Sequence, residues 1–282
     1  MRVTSIDIHA SNSNKALTLS FRDPRSNSQY IAKAILGLDA EDIMSKFSSV
    51  GPWSMKKYYE LTLLKRDVVI QIALNPNARQ GESFGTLRDN LYRVISASRT
   101  GVIEFRFKDG DRVVAAVSGF VTKLESPQFE RSPEAHLTIR CEDPMLKALE
   151  PVNVNVNGFT PALATISDEE STAPHGLRLG VKFSKHSVEF AIQDGPDPTA
   201  IFEVNLAGSV LDRFTPGDEL HFSSEHNNRY VYLIRNFEIF HLVDRIVPTS
   251  IWPVIFPGDN DFTCSDAAIW DYATYYPTYW GV

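Results

Sequence analysis

The pattern of apolar and polar residues is typical of β-strands along most of the chain. Residues 134–141 show it clearly, because Leu137, Ile139 and Cys141 lie on one side of an extended chain and polar residues lie on the other. Such a strand buries one face and leaves the other in water. Pro144 follows soon after and ends the strand, since proline offers no N–H to a neighbouring strand.

A domain boundary is predicted just after this strand. At 282 residues the chain exceeds the usual length of one domain, and two domains can each bury a core of their own. The pattern also changes here, since a helix is predicted only before the boundary. We therefore expect a first domain at residues 1–145 and a second domain at residues 146–282.

Alternation also predicts the strands of the first domain. The polar residues 11–14 form a turn between the first two strands, and Asp109-Gly110 is the strongest hairpin signal in the chain. Residues 37–42 can start a short helix, with Asp39 as its cap. The predicted strands are residues 3–9, 16–21, 30–36, 58–64, 68–74, 102–107 and 113–124.

One helix is predicted at residues 84–97, where apolar side chains recur at the spacing of a single helical face. Ser83 can cap its N-terminus and Gly101 can follow its end. The opposite side of the helix is polar, so we expect the helix to lie on a sheet. The apolar face consists of Phe84, Leu87, Leu91, Val94 and Ile95.

The second domain is predicted to be wholly β. Many short strands at even spacing favour a sandwich of two sheets. Residues 159–176 are polar and contain proline, and we expect a loop there, while residues 251–282 are rich in aromatic residues and proline. Turns are expected at residues 175–176 and 185–186. The predicted strands are residues 152–158, 177–183, 188–192, 200–206, 219–224, 229–234 and 237–243.

Composition indicates an ordinary globular protein with 43% hydrophobic, 11% aromatic and 22% charged residues. The formal net charge of -7 argues against nucleic-acid binding, which needs a basic surface. The two cysteines lie in apolar strands, which predicts buried free thiols. The N-terminus has no run of apolar residues long enough for a signal peptide, and no later run approaches the length of a membrane span. We therefore expect a soluble protein made in a cytoplasm.

Motifs for catalysis and cofactor binding are not found in the sequence. It contains no phosphate-binding glycine loop, nucleophile elbow or redox cysteine pair. The seven histidines lack the spacing of metal ligands. Residues 257–261 resemble the start of a calcium loop without its later ligands, so a polar turn is expected there. We therefore predict no catalytic residue, no metal site and no cofactor.

Three stretches together resemble the distal tail proteins (Dit) of long, non-contractile-tailed bacteriophages. The resemblance covers nearly the whole chain in order, although each motif alone is weak. The stretches are residues 118–124 with 127–129 and 135–144, residues 66–72 with 86–91, and residues 216–220 with 251–253, 257–260 and 279–282.

The resemblance implies a mainly β protein. Its N-terminal domain would be a β-sandwich with one helix and a long hairpin, and its C-terminal domain a galectin-like or carbohydrate-binding-module-like β-sandwich. Six copies would form a hub ring at the distal end of the tail tube in the virion. The implied partners are further copies of the chain, the tail tube protein, the tail hub and the tail-tip or receptor-binding proteins. The tape measure protein is a further candidate.

The ring implied by this resemblance needs a subunit interface, which we predict on two segments. Residues 58–74 and 113–124 have long apolar patterns on strands, and an exposed strand edge is an aggregation hazard unless a partner covers it. A closed ring covers that edge in every copy. The predicted interface residues are Val68, Ile70, Ile72, Val113, Val117 and Phe120.

The alternative function is a carbohydrate-binding module or a glycan-active protein that uses the second domain. Exposed tryptophans at Trp252, Trp270 and Trp280 would favour it, because aromatic faces stack on sugar rings, whereas core packing is the commoner role of such residues. A glycosidase would need two facing carboxylates. Strands of the second domain could supply these from Glu203, Glu219 or Glu238, but nothing in the sequence selects them.

Overall fold

The fold was obtained as a computed structural model. It describes residues 3–10, 16–21, 28–38, 66–77, 81–96, 102–126, 133–141, 143, 145–156, 163–194, 201–226 and 228–280. The chain forms two compact units. The first consists of Met1–Leu149 together with Tyr279–Val282, and the second consists of Glu150–Thr278. The division therefore falls after Leu149 rather than after residue 145, and the last four residues belong to the first unit.

The first unit contains a nine-stranded sheet, in which all described pairs are antiparallel except β2 with β3. The strands occur in the order β20-β8-β6-β5-β1-β2-β3-β4-β7. Their bounds are β1 Ser5–Ala10, β2 Ala16–Phe21, β3 Tyr30–Leu36, β4 Arg66–Leu74, β5 Ile103–Asp109, β6 Arg112–Glu125, β7 Glu134–Cys141, β8 Leu146–Lys147 and β20 Thr278–Tyr279.

Seven of these strands close into a barrel, because β6 also pairs with β7. The family resemblance implied a β-sandwich for this region, and the closed barrel corrects that expectation. The physical reason is the length of β6. With 14 residues it pairs with β5 through its first half and with β7 through its second half, so one strand joins both ends of the sheet.

The predicted helix is confirmed as α1, Phe84–Ser96. Its cap is also confirmed, since the Ser83 Oγ accepts a hydrogen bond from the Thr86 N–H at 3.1 Å. Phe84 is 47% exposed, although it belongs to the predicted apolar face. The buried residues of that face are Leu87, Leu91, Val94 and Ile95. Among the described residues, no helix has both the length and the apolar character that crossing a membrane requires.

The second unit contains two antiparallel sheets. The smaller has the order β10-β18-β12-β13 and the larger the order β16-β15-β14-β11-β19-β9, with β17 paired to the start of β11. The strand bounds are β9 Val152–Val154, β10 Leu163–Asp168, β11 His175–Phe183, β12 Glu189–Asp194, β13 Ile201–Asn205, β14 Glu219–Ser223, β15 Tyr230–Arg235, β16 Glu238–His241, β17 Val254–Ile255, β18 Gly258–Cys264 and β19 Ala268–Tyr275.

One hydrophobic core lies between these two sheets. Phe190 and Phe202 of the smaller sheet and Phe222 and Trp270 of the larger sheet are all buried in it. The rings of Phe202 and Phe222 pack edge to face with their centroids 4.7 Å apart. Such aromatic pairs stabilise a core beyond the area that they bury. The same core therefore holds both sheets of the second unit together.

Two strands of the second unit lie where the sequence predicted loops. β10 lies within the predicted loop 159–176, and β18 covers most of the predicted polar turn 257–261. Their polar residues pair across the strands: the Thr165 Oγ1 donates to Asp261 Oδ1 and the Ser167 Oγ donates to Asp259 Oδ1, both at 2.6 Å. The polar character that predicted loops therefore belongs to an exposed strand face.

The remaining differences concern the start of β11 and the predicted elements of the first domain. His175 begins β11, opposite Ile255, and is not part of a turn. The predicted strand 58–64 and residues 39–42 of the predicted short helix lie outside the described residues.

Candidate functional site

The six residues predicted at a subunit interface all lie on strands of the barrel, but most of them face its interior. Phe120 is 42% exposed, and Val113 is half-buried. The other four are buried in the barrel core, namely Val68, Ile70, Ile72 and Val117. Charged substitutions at those four positions would unfold the barrel, so Phe120 is the position of the six best suited to test a contact with another subunit.

β6 changes its pairing partner at Gly119. Residues 112–119 pair with β5, whereas the residues after Gly119 pair with β7. A Cβ atom at this position would lie 2.6 Å from the carbonyl oxygen of Arg140 and 2.8 Å from the Ile139 Cγ2. Glycine is therefore needed for the backbones of β6 and β7 to approach this closely and close the barrel.

The β6 extension, which we define as residues 120–125, continues past the end of β5. The last pair between β5 and β6 joins Ile103 to Gly119, while β7 pairs with the extension along its other edge. Its exposed side chains are Phe120, Thr122, Lys123 and Glu125. A strand segment that continues past its neighbour can accept a strand or hairpin from another chain. The β6 extension is the candidate contact surface of the first unit.

Two of the motifs that carry the resemblance meet in the first unit. The buried Arg66 donates a hydrogen bond from its Nη2 to the carbonyl oxygen of Trp280 at 2.6 Å, and Tyr279 is buried in the barrel core. Arg66 also lies opposite Cys141 in the pairing of β4 with β7. Burial raises the pKa of Cys141 to about 12, although the charge of Arg66 opposes this shift. The thiol is therefore protonated and inert.

A row of ring side chains crosses five strands on the outer face of the larger sheet in the second unit. We call Tyr272, His221, Tyr232 and His241 the ring row. The strand register places Gly180 between Tyr272 and His221, and then places His221 opposite Tyr232 and Tyr232 opposite His241. The ring centroids of His221 and Tyr232 are 4.9 Å apart and stacked. All four side chains are half-buried or exposed.

Gly180 allows Tyr272 to lie across β11. A Cβ atom at Gly180 would lie 2.3 Å from the Tyr272 Cε1, so any larger residue would displace the ring. From this position the Tyr272 hydroxyl lies 2.9 Å from the His221 Nδ1. The glycine thus serves side-chain packing here, whereas Gly119 serves close approach of two backbones.

Burial sets the protonation of this pair. It raises the pKa of Tyr272 to about 12, with smaller contributions from Tyr230, Tyr232 and Asp271. It also lowers the pKa of His221, against the attraction of Glu219 and Asp271. We therefore assign a protonated Tyr272 hydroxyl that donates to the Nδ1 of a neutral His221. The proton of His221 then lies on Nε2, which is 3.9 Å from the Glu219 Oε2.

A partly buried ion pair lies one register step from the ring row. The Arg178 Nη2 donates to the Glu225 Oε2 at 2.6 Å, and the Arg178 guanidinium lies 5.0 Å from the centre of the Tyr276 ring. Asn228 donates to the same Glu225 oxygen at 3.3 Å. Within the part of the chain that the structure describes, the Glu225 Oε1 and the Arg178 Nε are buried without a hydrogen-bond partner. This leaves one acceptor and one donor unused.

The residues proposed for sugar stacking and glycan cleavage are not brought together. Trp270 is buried in the core, and Trp252 is half-buried against Phe202 and Phe222. Among the carboxylates, Glu203 belongs to the smaller sheet, whereas Glu219 and Glu238 belong to the larger one. Within the described ranges, no group of three His, Cys, Asp or Glu side chains is placed to hold a metal ion.

The sequence interpretation missed the ring row. Its members come from four strands, which are neighbours only through the sheet register. The sequence did predict the strands 219–224 and 229–234, which contain His221 and Tyr232. The one sequence signal that points to the row is Gly180, a glycine within a strongly apolar strand, which often marks a close approach by another group.

Comparisons with known proteins find a similar fold in a phage Dit protein. No protein-family model matches the chain, and no curated protein gives a significant match. The solved structure of the Dit protein of phage SPP1 matches with a TM-score of 0.52 and 12% identity, over 76% of this chain and 78% of that chain. That protein is described as a paradigm of the hub adsorption apparatus in phages that infect Gram-positive bacteria.

Two structures of the phage P2 baseplate in its activated conformation also match at 7% identity. The structure with Ca covers 99% of this chain and 98% of that chain with a TM-score of 0.48. The structure with Sr covers 98% of each chain with a TM-score of 0.45. At such identities the likeness is one of fold. The resemblance to a Dit protein that the sequence motifs indicate is confirmed at that level by the SPP1 structure.

Proposed function

We propose that this protein is a structural component of a phage tail, and that six copies form a hub ring at the distal end of the tail tube. The observation that carries the proposal is the shared fold with the SPP1 Dit protein. In this role the protein would join the tail tube protein to the tail hub and to the tail-tip or receptor-binding proteins, with the tape measure protein as a further neighbour. The protein would have no catalytic activity.

The barrel supplies the ring in this proposal. Its β6 extension continues past β5 and carries the exposed Phe120, while the strands around it are fixed by a closed barrel. A rigid unit with one projecting strand segment suits a ring, because each copy can cover that segment of the next copy. Phe120 therefore becomes the central side chain of the proposed contact.

The second unit supplies the attachment side of the hub. Its two antiparallel sheets around one core are compatible with the galectin-like sandwich implied by the resemblance. A sandwich of this kind presents loops and one wide sheet face on a rigid support. We propose that the neighbouring tail-tip proteins bind to this unit.

The ring is tested by the mass and the shape of the purified protein. Native mass spectrometry and negative-stain images of the same sample should give six-subunit particles with a central opening. A ring with another number of subunits would contradict the hexamer but would still support a ring. A protein that is monomeric, and that antibody labelling also fails to find at the tip of purified tails, would overturn the hub proposal.

The position of the subunit contact is tested by Phe120→Asp with Phe256→Asp as the matched control. Both phenylalanines are exposed to a similar extent, at 42% and 47%, but Phe256 belongs to the second unit. We expect folded monomers from Phe120→Asp and rings from Phe256→Asp. Circular dichroism of both variants separates a lost contact from a lost fold. Intact rings of folded Phe120→Asp would move the interface away from the β6 extension.

A further inference from the structure

Two neighbouring loops of the second unit carry the most exposed large apolar side chains of the described residues. Val210 lies in the loop between β13 and β14, and Phe237 lies in the turn between β15 and β16. Their relative exposures are 103% and 102%. Arg235, which precedes the turn, donates from its Nη2 to the carbonyl oxygen of Arg213 at 2.6 Å. The two loops therefore lie side by side.

The same two loops carry backbone strain. Among the described residues, three that are not glycine have a positive φ, namely Asp212 at 58°, Asn236 at 53° and Phe237 at 66°. Asn236 and Phe237 form a two-residue connection between paired strands with both φ angles positive, as in a type I′ turn. Asparagine suits the first position of this turn and glycine suits the second, where a bulky side chain is disfavoured.

Contacts within the chain do not offset this strain at Phe237. A fully exposed ring buries no apolar area, so Phe237 adds no hydrophobic stabilisation to the fold. The turn is held by other groups, because the preceding Arg235 donates to Asp218 at 2.9 Å and 2.5 Å. A strained residue that its surroundings hold in place is typical of a functional position. An exposed aromatic ring in such a position is suited to a contact with another molecule.

The charge of the second unit indicates the chemistry of that molecule. The unit contains 18 acidic and 7 basic residues. Beside the turn Glu238 is exposed, whereas Arg213 and Arg235 are each paired with an aspartate. An acidic surface attracts a basic partner and repels another acidic surface. The second unit of another copy is therefore disfavoured as the occupant, and a different protein with a basic surface is favoured.

We propose that Phe237 inserts into an apolar pocket of a different tail-tip protein, and that lysine or arginine side chains of that protein line the rim of the pocket. This inference rests on the proposed hub function and gives the attachment of tail-tip proteins a position on the second unit. Phe237 is the anchor of the contact, since a central aromatic side chain in a pocket commonly contributes most of the binding energy. Val210 contacts the same partner beside it.

Photo-crosslinking in assembled tails tests this contact. The amino acid p-benzoylphenylalanine replaces Phe237 or, as the matched control, Phe256, which is 47% exposed in the same unit. Purified tails are irradiated, and the proteins joined to this chain are identified by mass spectrometry. We expect an adduct with one different tail protein at position 237 and no such adduct at position 256.

Two substitutions separate the aromatic ring from the backbone strain. Phe237→Gly removes both, so it should raise the thermal midpoint of the second unit by a few degrees and weaken binding of the purified crosslinked partner by at least about tenfold. Phe237→Ala removes the ring but keeps a Cβ atom at a positive φ, so it should weaken binding equally and leave the midpoint unchanged. Added salt should weaken binding to the wild type, because it screens the basic rim. Circular dichroism verifies that each variant is folded.

Four outcomes would overturn the proposal. An adduct at position 237 with further copies of this chain alone would assign the turn to self-association. Tails that contain the protein but give no adduct at position 237 would remove this contact and leave the hub function intact. Tails that lack the protein in an immunoblot would overturn the hub function and this inference with it. A folded Phe237→Gly variant that binds the partner as tightly as the wild type would show that the ring is not the anchor.

Discussion

The two units protect their strand edges in different ways. The barrel has few edges, because β6 joins both ends of the sheet. The second unit keeps two open sheets and shortens some of the strands at their margins, as in β9 with three residues and β16 with four. Along β13 the edge is also covered by backbone hydrogen bonds from Val247 and Ile251. Both devices limit pairing with other chains.

This difference separates the proposed roles of the units. In the described part of the barrel, the β6 extension is a strand segment that continues past its neighbour and leaves that edge open to another strand. An open sheet presents a wide outer face on which side chains from several strands form one surface, as they do in the ring row. The barrel therefore offers contact along one strand segment, whereas the open sheet offers contact across a wide face.

Gly119→Val should lower the stability of the protein more than any other substitution considered below. Gly119→Val places side-chain atoms against the backbone carbonyl of Arg140, which cannot move without opening the barrel. We expect a loss of about 4 kcal/mol in the free energy of unfolding of the first unit. Hydrogen exchange measured by mass spectrometry should show faster exchange in β6 and β7, with β14 and β15 unchanged. Ser118→Val, at an exposed neighbouring position, is the control.

Asp218→Asn should have the largest effect in the second unit. Asp218 is buried and accepts hydrogen bonds from the Arg235 Nε at 2.9 Å and from the Thr215 N–H at 2.7 Å. Burial alone would raise the pKa of Asp218, but these hydrogen bonds lower it overall. Loss of the charge leaves Arg235 without its counterion, and we expect a loss of about 3 kcal/mol. Urea denaturation measures this loss.

The matched control for Asp218→Asn is Asp212→Asn, since Asp212 is exposed and pairs only at the surface. We expect that control to change stability by less than about 0.5 kcal/mol. Equal effects of the two substitutions would show that the buried pair contributes no more than a surface pair. The stability that Asp218 provides is present above its ordinary pKa of 3.8 and is lost as the pH falls through its lower pKa in the folded protein.

Tyr279→Ala tests whether the last described strand stabilises the barrel or the second unit. Tyr279 is buried in the barrel core, while the preceding Thr278 bonds to Ser171 and Ala173 of the second unit. We expect a loss of about 2 kcal/mol, observed as faster hydrogen exchange in the barrel. Faster exchange confined to β10 and β11 would contradict the assignment of Tyr279 to the first unit.

Tyr272→Phe should have a smaller effect, confined to the second unit. It removes the hydroxyl that lies 2.9 Å from the His221 Nδ1 and keeps the ring over Gly180. One hydrogen bond of this kind contributes about 1 kcal/mol to stability. The thermal midpoint of the second unit should fall by a few degrees. An unchanged midpoint together with an unchanged pKa of His221 would show that the hydrogen bond is not formed in solution.

The smallest expected effect is the dependence of the second unit's stability on the charge of His221. Burial lowers the pKa of His221 below 6.5, so at mildly acidic pH the unfolded chain binds a proton that the folded chain does not. The contribution of His221 is therefore full above pH 6.5 and is lost as the pH falls. Wild type and His221→Gln should differ less in denaturation midpoint at pH 5.5 than at pH 7.5. A constant difference would contradict the lowered pKa.

Local sequence patterns predicted the helix and many strands of the first unit, but they did not predict that the strands close into a barrel. The apolar spacing of residues 84–95 and the cap at Ser83 are properties of adjacent residues, and the structure confirms both. The pairing of β6 with β7 depends on the close approach of two backbones at Gly119. The only sign of this approach in the sequence is the glycine itself. A sandwich and a barrel have the same alternation, so the alternation could not distinguish them.

In the second unit, sequence patterns failed where a strand face is polar. β18 reads Gly-Asp-Asn-Asp-Phe-Thr-Cys, and its exposed acidic residues bond to Thr165 and Ser167 of β10. The ring row was missed for a related reason, because its members are neighbours in the sheet register and far apart in the chain. Composition alone suggested the tryptophans instead, and Trp270 fills the core.

The return of Tyr279 to the barrel sets an order for synthesis on the ribosome. The seven strands of the barrel, up to β7, emerge before the second unit, but Tyr279 and the carbonyl that accepts the Arg66 hydrogen bond emerge after it. Until then the buried guanidinium of Arg66 has no bond to Trp280, and the barrel core lacks one of its aromatic side chains. The first unit is therefore completed only after the second unit has been made, and nascent chains that stop within the second unit have all seven barrel strands but lack Tyr279 in the core.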